Sequence, residues 1–203
     1  MVKRLGIFTA GGLARAVASH FSYEYLTECF VDKTKVSGEH VHNIPVVLFP
    51  PPIPKDQIKY VIACGDTKRK RVLAESDVAW ETLVHRSATV SPRTEVGEGS
   101  VICPGVVIDP DVRIGRHVYV DHNAVIGHGA DVEDYVVIGP VTLIAGYCKI
   151  GAGAYVGAGV SVVREANIGE DSTIGAGAVV LGDVPPNEVW AGVPAKKIGE
   201  VTE

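Results

Sequence analysis

From Val84 to Val180 an aliphatic residue occupies every sixth position: Val84, Val90, Val96, Ile102, Ile108, Ile114, Val120, Ile126, Val132, Ile138, Ile144, Ile150, Val156, Val162, Ile168, Ile174 and Val180. Four residues after each stands Ala, Thr, Ser, Val or Cys and nothing larger. A short period held in phase through 17 hexads marks a solenoid, in which each repeat buries its apolar side only by stacking on its neighbours. With three hexads per turn the chain winds a triangular prism of parallel strands. It makes about 5.7 coils and stands roughly 27 Å tall at the 4.8 Å spacing of paired strands. Pro185-Pro186 ends the period, and residues 187–203 are expected to fold back over the open end.

Residues one coil apart stack vertically, so the outward residue before each aliphatic position falls into one of three columns. The first reads Val101, Tyr119, Val137, Tyr155, Thr173; the second Val107, Val125, Leu143, Ser161, Val179; the third Glu95, Arg113, Asp131, Lys149, Asn167. Two columns are largely apolar and one is polar with alternating charge. Apolar ladders left in water attract partners, and a prism with two such sides and one wet side closes as a three-fold ring, so a homotrimer is expected. Asp131, between Arg113 and Lys149, is a rung of a charge ladder and not a catalytic acid.

Residues 1–82 follow another grammar. Leu5–Phe8, Cys29–Val31 and Tyr60–Cys64 read as strands, Leu13–Phe21 and Thr67–Glu75 as helices, and the Pro-rich stretch 37–57 as loop. The alternation predicts a small Rossmann-like parallel α/β domain. Thr9-Ala10-Gly11-Gly12-Leu13-Ala14 partly matches the dinucleotide fingerprint, with Asp32 where a ribose-binding carboxylate would stand, although Thr9 replaces the first glycine. A tight turn and a nucleotide site both remain open readings of it.

The net charge of −5 and a single basic run, Lys68-Arg69-Lys70-Arg71, argue against nucleic acid; the run reads as a solvated helix face. Four cysteines without framework spacing point to a reduced, cytoplasmic protein, with Cys148 in a small inward slot. No apolar stretch approaches the ~20 residues of a membrane span, and neither a signal peptide nor a membrane partner is expected.

The turn positions carry the chemistry. His128 lies at a corner, stacked between Pro110 and Gly146 of adjacent coils. Gly146 leaves a gap beside the imidazole, which suits a general base, whereas a plain surface histidine is the alternative. His122 occupies the preceding corner and His117 lies one hexad earlier. Gly127-His128-Gly129 begins the Gly-His-Gly-x-x-x-His zinc pattern of the gamma carbonic anhydrases. Glu133 stands at its second histidine, however, and Glu81 and Arg86 offer no third ligand, so no metal is expected.

Taken together, Thr9-Ala-Gly-Gly-Leu-Ala-Arg, Phe-Val-Asp32, Ile-Ala-Cys-Gly65-Asp, Leu-Val-His85-Arg-Ser-Ala, the hexads and Ala-Gly-Val-Pro-Ala-Lys (191–196) resemble the NeuD/PglD-type sugar acetyltransferases nearly end to end. The resemblance implies a nucleotide-sugar-binding α/β domain (1–82), a left-handed parallel β-helix (83–184) and a capping tail (185–203). It also implies acetyl-CoA as co-substrate. His128 matches the family's catalytic base, and Gly146 matches a glycine whose backbone amide lies near the acetyl thioester. Gly11, Gly12 and Asp32 match the nucleotide-holding turn and strand end, with Gly65 and Asp66 closing the pocket; His122 is a further candidate substrate contact. Arg164, Lys196 and Lys197 are candidate contacts for CoA phosphates. The family has an acidic residue after the histidine, where this chain has Gly129, and often a histidine where it has Leu13. The implied activity is transfer of acetyl to the amino group of a nucleotide-linked 4-amino-deoxy sugar, by direct attack with a histidine base. Its rivals are sugar or sialic acid O-acetylation and a non-catalytic nucleotide-binding β-helix.

Overall fold

The computed structural model describes residues 3–32, 40–48 and 57–202. The N-terminal part is a five-stranded sheet built from β1 (Lys3–Phe8), β2 (Tyr25–Asp32), β3 (His40–Val41), β4 (Ile44–Leu48) and β5 (Lys59–Ile62), in the order β3-β4-β2-β1-β5. β2, β1 and β5 pair in parallel. Their runs Leu5–Phe8, Cys29–Val31 and Tyr60–Ile62 are buried on both faces, which explains why they read as continuous apolar stretches. Two helices serve this sheet, α1 (Gly12–His20) and α2 (Thr67–Ala74). One expectation is corrected in the stretch read as loop: β3 and β4 form an antiparallel hairpin across His42 and Asn43, both with positive φ (53° and 66°). That turn twists with its strands and needs no glycine when Asn takes one of its places. Residues 33–39 and 49–56, the rest of that surrounding segment, lie outside the described residues.

From residue 83 the hexads build the prism that the period predicts. Seventeen two-residue strands run from Leu83–Val84 to Val179–Val180, each pairing in parallel with those one coil away. Every hexad aliphatic from Ile102 to Val180 is at most 2% exposed, whereas Val84 at the first, uncovered coil is 41% exposed. The small inward residues close the corners. Where they are polar, they bond to the adjacent coil: Ser100 Oγ donates to Gly115 O (2.8 Å), Thr142 Oγ1 to Gly157 O (2.8 Å) and Ser172 Oγ to Pro185 O (2.7 Å). Cys148 fills the same slot, buried, with its thiol on Val163 O. The chain after Pro185-Pro186 adds Glu188–Ala191 in parallel to the sheet of the first column, and Lys196–Glu200 returns antiparallel beside it. The expected fold class, an α/β unit followed by a parallel hexapeptide β-helix, is borne out.

Two expectations about surfaces change where the parts meet. The first apolar column is covered at its early coils from within the chain, Val101, Tyr119 and Val137 being 0%, 1% and 5% exposed. They join one continuous core with Leu5, Ile7 and Phe21 of the α/β unit. The basic run is likewise no solvated face: Lys70 is fully buried, its Nζ 3.4 Å from Val136 O. Arg71 reaches Asp171, Glu170 and the carbonyl of Ala152 on the β-helix. An i, i+1 pair diverges by about 100° around a helix, so Lys70 and Arg71 contact different parts of the same corner. His117 completes the contact, packed edge-on to Trp80 (4.8 Å) and parallel to Tyr135 (5.9 Å).

Burial lowers the Lys70 amine to about 7 and the His117 imidazole to about 4. An unfolded lysine binds its proton below about 10.4, so between about 7 and 10 the unfolded state holds more protons and stability rises with pH. For His117 the same sign applies between about 4 and 6.5, so acidification through that window destabilises the fold. We predict that the urea midpoint rises more between pH 7 and 9.5 in the wild type than in Lys70→Met. Equal pH dependence in the two proteins would refute the assignment to Lys70.

Candidate active site

The residue three places after each aliphatic from Val96 to Ile174 adopts a left-handed conformation, and the corners inherit their chemistry from that constraint. At the corner of His128 these residues are Asp111, Gly129, Tyr147 and Glu165, with φ of 62°, 67°, 60° and 65°. Gly129 is therefore the residue best suited to its backbone. His128, one place earlier, projects outward and is exposed. The gap expected at Gly146 is real, and the imidazole itself lies against it: a Cβ there would be 2.9 Å from Cε1 and 3.0 Å from Nε2 of His128. The imidazole also meets the Tyr147 ring edge-on, centroids 4.8 Å apart. Among the described residues no side chain hydrogen-bonds to it. Two acids near in sequence are engaged elsewhere, Asp111 with Arg93 (2.9 Å) and Asp134 with Arg116 (2.9 Å). Asp131 pairs with Arg113, as the charge ladder requires.

His122 has the carboxylate partner that His128 lacks. Its Nδ1 lies 2.5 Å from Asp121 Oδ1, and its Nε2 lies 3.3 Å from Nδ1 of His20 at the end of α1. With Nδ1–H donated to the carboxylate, Nε2 accepts from His20, giving an Asp121–His122–His20 chain across the junction of the two parts. Burial, then His122, lowers the His20 pKa. No signal in the sequence linked His20 to His122, because the contact depends on how α1 docks. Cys103 lies close to Asp121 and His122. Burial pushes its thiol up to about 12, so it is a poor thiolate ligand or nucleophile. His117 and His122 point from different corners and do not converge. Glu133 is held by Lys149 (3.0 Å) and the amide of Ala152 (2.9 Å).

A second feature lies at the carboxyl ends of the N-terminal strands. An open cleft of about 290 Å³ is lined by Thr9, Gly11, Gly12, Leu13, Asp32, Ala63, Cys64, Gly65 and Arg69. Four of the expected binding residues thus come together there. Asp66 does another job: it caps α2, accepting from the Arg69 amide (2.9 Å). Thr9 takes the glycine's place with φ 80°, a strained setting for a β-branched residue, and donates its hydroxyl to Ala63 O (2.9 Å). Gly11 and Gly12 are demanded neither by a positive φ nor by packing, since a Cβ at either meets nothing within 4 Å. Their bare faces leave room for a ligand at the start of α1, where free amides favour an anion. Asp32 faces Arg69 at 3.6 Å. Neither His128 nor Gly146 lines this cleft.

The candidate cofactor contacts are spread out. The Arg164 guanidinium lies over the Tyr147 ring at 4.9 Å and binds Glu165 at 3.0 Å. Lys196 is exposed, while Lys197 is held between Glu188 (2.8 Å) and Glu200 (3.1 Å). Among the described residues no helix is long and apolar enough to cross a membrane.

Residues 147–182 match the bacterial transferase hexapeptide family (six repeats). Over 36 residues the chain is 53% identical to galactoside O-acetyltransferase of Escherichia coli (strain K12), a match covering 18% of each chain. In this relative and in two acetyltransferases of yeasts the matched stretch spans 18–22% of the relative's own length. The similarity to solved structures is far longer. A histidine-to-asparagine variant of perosamine N-acetyltransferase from Caulobacter crescentus, in complex with CoA and GDP-perosamine, superposes with a TM-score of 0.90 at 28% identity, covering 98% of this chain and 99% of that one. The acetyltransferase domain of PglB from Neisseria gonorrhoeae FA1090, in complex with acetyl coenzyme A, gives 0.89 at 26% identity, covering 98% and 100%. The resemblance expressed by the hexads, the tail and the N-terminal turns is borne out: from end to end this chain has the architecture of the hexapeptide-repeat sugar acetyltransferases.

Proposed function

We propose that this chain transfers acetyl from acetyl-CoA to the amino group of a nucleotide-linked 4-amino-deoxy sugar. The observation that carries the reading is the exposed His128 imidazole laid against the bare Cα of Gly146 on a scaffold shared with structures that hold CoA and GDP-perosamine. The sugar amine attacks the thioester carbonyl, and a C–N bond forms as His128 takes the proton. The Gly146 N–H has no acceptor among the described residues, leaving it free to steady the oxyanion. The C–S bond then breaks and CoA leaves as a thiolate, to be protonated from the imidazolium. No cysteine takes part, all four being buried.

In this reading residues 1–82 hold the nucleotide, with diphosphate at Gly11 and Gly12 and ribose at Asp32. Residues 83–184 carry the transfer site, and residues 185–203 cap the prism. The exposed Lys196 is open to CoA phosphates; Arg164 is less so because Glu165 holds it, and Lys197 less again because two carboxylates do. The protein acts as a homotrimer in the cytoplasm. The second column and the corner before it support the trimer: Leu143 remains 44% exposed in the column, and Val141 at the corner, β-branched with φ 58°, is 66% exposed. Such a strained apolar residue is expected where something covers it. A neighbouring copy would also supply the missing proximity between the nucleotide cleft and a His128 corner. We expect the wild type to sediment as a trimer and Val141→Asp as a smaller species; a monomeric wild type would overturn this assembly.

One observation favours a second reading of the base. His122 has a carboxylate on Nδ1, the arrangement that orients a catalytic imidazole, although His20 occupies its other nitrogen. Release of CoA from acetyl-CoA, assayed with 4-amino sugars linked to UDP, GDP and dTDP and with hydroxyl acceptors, separates the two. We expect transfer to an amine, a loss of about 10²–10⁴-fold in His128→Ala, and more than a tenth of the activity retained in His122→Ala. The reverse pattern moves the base to His122. Turnover only with hydroxyl acceptors makes this an O-acetyltransferase, and no turnover at all sinks the enzymatic reading. We further expect Gly146→Ala, which forces the imidazole off its seat, to lower kcat at least tenfold while the urea midpoint stays close to that of the wild type; an unchanged kcat would contradict the seat's role.

A further inference from the structure

We propose that Tyr147 positions the His128 imidazole, the part played by the acidic residue after the histidine in the family that this chain resembles; the inference rests on the proposed acetyl transfer. Residues 129 and 147 share a corner one coil apart, both with left-handed backbones (φ 67° and 60°). A Cβ on Gly129 would lie 2.6 Å from both Cδ1 and Cε1 of Tyr147. The phenol ring therefore fills the space in which a side chain at 129 would begin. An acid at 129 and an aromatic ring in this pose at 147 exclude each other, so glycine and tyrosine form a single device.

That ring is placed to act on the imidazole. The two meet edge-to-face, at 4.8 Å and 82°, the arrangement that aromatic quadrupoles favour. The Tyr147 amide donates to the His128 carbonyl at 2.9 Å, tying the two residues across the coil. The Arg164 guanidinium covers the Tyr147 ring at 4.9 Å and is itself held by Glu165. On its other contact the imidazole lies against Gly146, where even a methyl group would be too close. His128 is thus confined between a bare Cα and an aromatic ring, with no hydrogen bond needed to set its plane.

The test compares Tyr147→Phe, Tyr147→Leu, Tyr147→Gly and the double variant Gly129→Asp, Tyr147→Gly by kcat, KM for acetyl-CoA and the His128 ring-proton resonances. Edge-to-face contacts of this kind correspond to about a two- to tenfold effect. Tyr147→Leu should lower kcat towards tenfold, leave KM within about twofold and shift the His128 resonances as the ring current is lost. Tyr147→Phe should keep all three. The double variant should exceed Tyr147→Gly in kcat, because Asp tolerates the left-handed backbone and restores a carboxylate partner. An active wild type whose kcat is unmoved by Tyr147→Leu, with or without a change in KM, overturns the role of Tyr147 alone. A wild type inactive with every acceptor overturns the acetyl-transfer reading and this inference with it.

Discussion

The vertical register of the β-helix is the constraint on which everything else depends. Parallel pairing places each residue on the one 18 positions earlier, as Val125 on Val107 and Leu143 on Val125. The inward aliphatic ladder fixes that register because a slip of one residue would turn the ladder outward. Once it is fixed, so are the corners. From Val96 to Ile174 the residue three places on turns left-handed, and what stands one or two places to either side is then stacked in columns with no further choice. The His128–Gly146 contact and the Gly129–Tyr147 exclusion both follow from this stacking. Neither requires a specially built loop.

The α/β unit makes different use of the prism. It covers the early coils of the first column and is held there by buried contacts from α2. A lysine with its amine buried beside a single carbonyl is an expensive anchor, and a neutral amine is the form that burial favours. Arg71 carries the ionic part of the contact at the surface, where Asp171 and Glu170 share it. The same docking brings the end of α1 onto His122 and creates the Asp121–His122–His20 chain. Burial lowers the pKa values of Lys70, His117 and His20 at this junction, and these three act with the same sign as the pH falls.

Two candidate sites come out of these two constraints, and they are separate within one chain. The cleft at the strand ends has the bare glycines and the carboxylate suited to a nucleotide. The exposed corner has the imidazole and the free amide suited to acyl transfer.

How much of this was legible in the sequence depended on the range of the interaction. The 17 hexads alone determined the β-helix, its columns, the Arg113–Asp131 rung, the buried Cys148 and the gap beside His128, since a strict period turns sequence separation directly into distance. The strands of the α/β unit were equally readable, because they are buried on both faces. The handedness and the acceptor came only through family resemblance. The hairpin at 40–48 was missed because His42-Asn43 is a weak turn signal beside so many prolines. The basic run 68–71 reads as a solvated face in sequence because no pattern within a helix shows what will dock against it. Only the tertiary structure decided that Lys70 is buried, that Asp66 caps a helix, that His20 meets His122 and that the Tyr147 ring occupies the space above Gly129. Lys70 and the His20–His122 pair join segments with no shared period, so their contacts exist only once the two parts have packed; at Asp66 and Tyr147 the spacing is regular but the rotamer decides what the side chain meets.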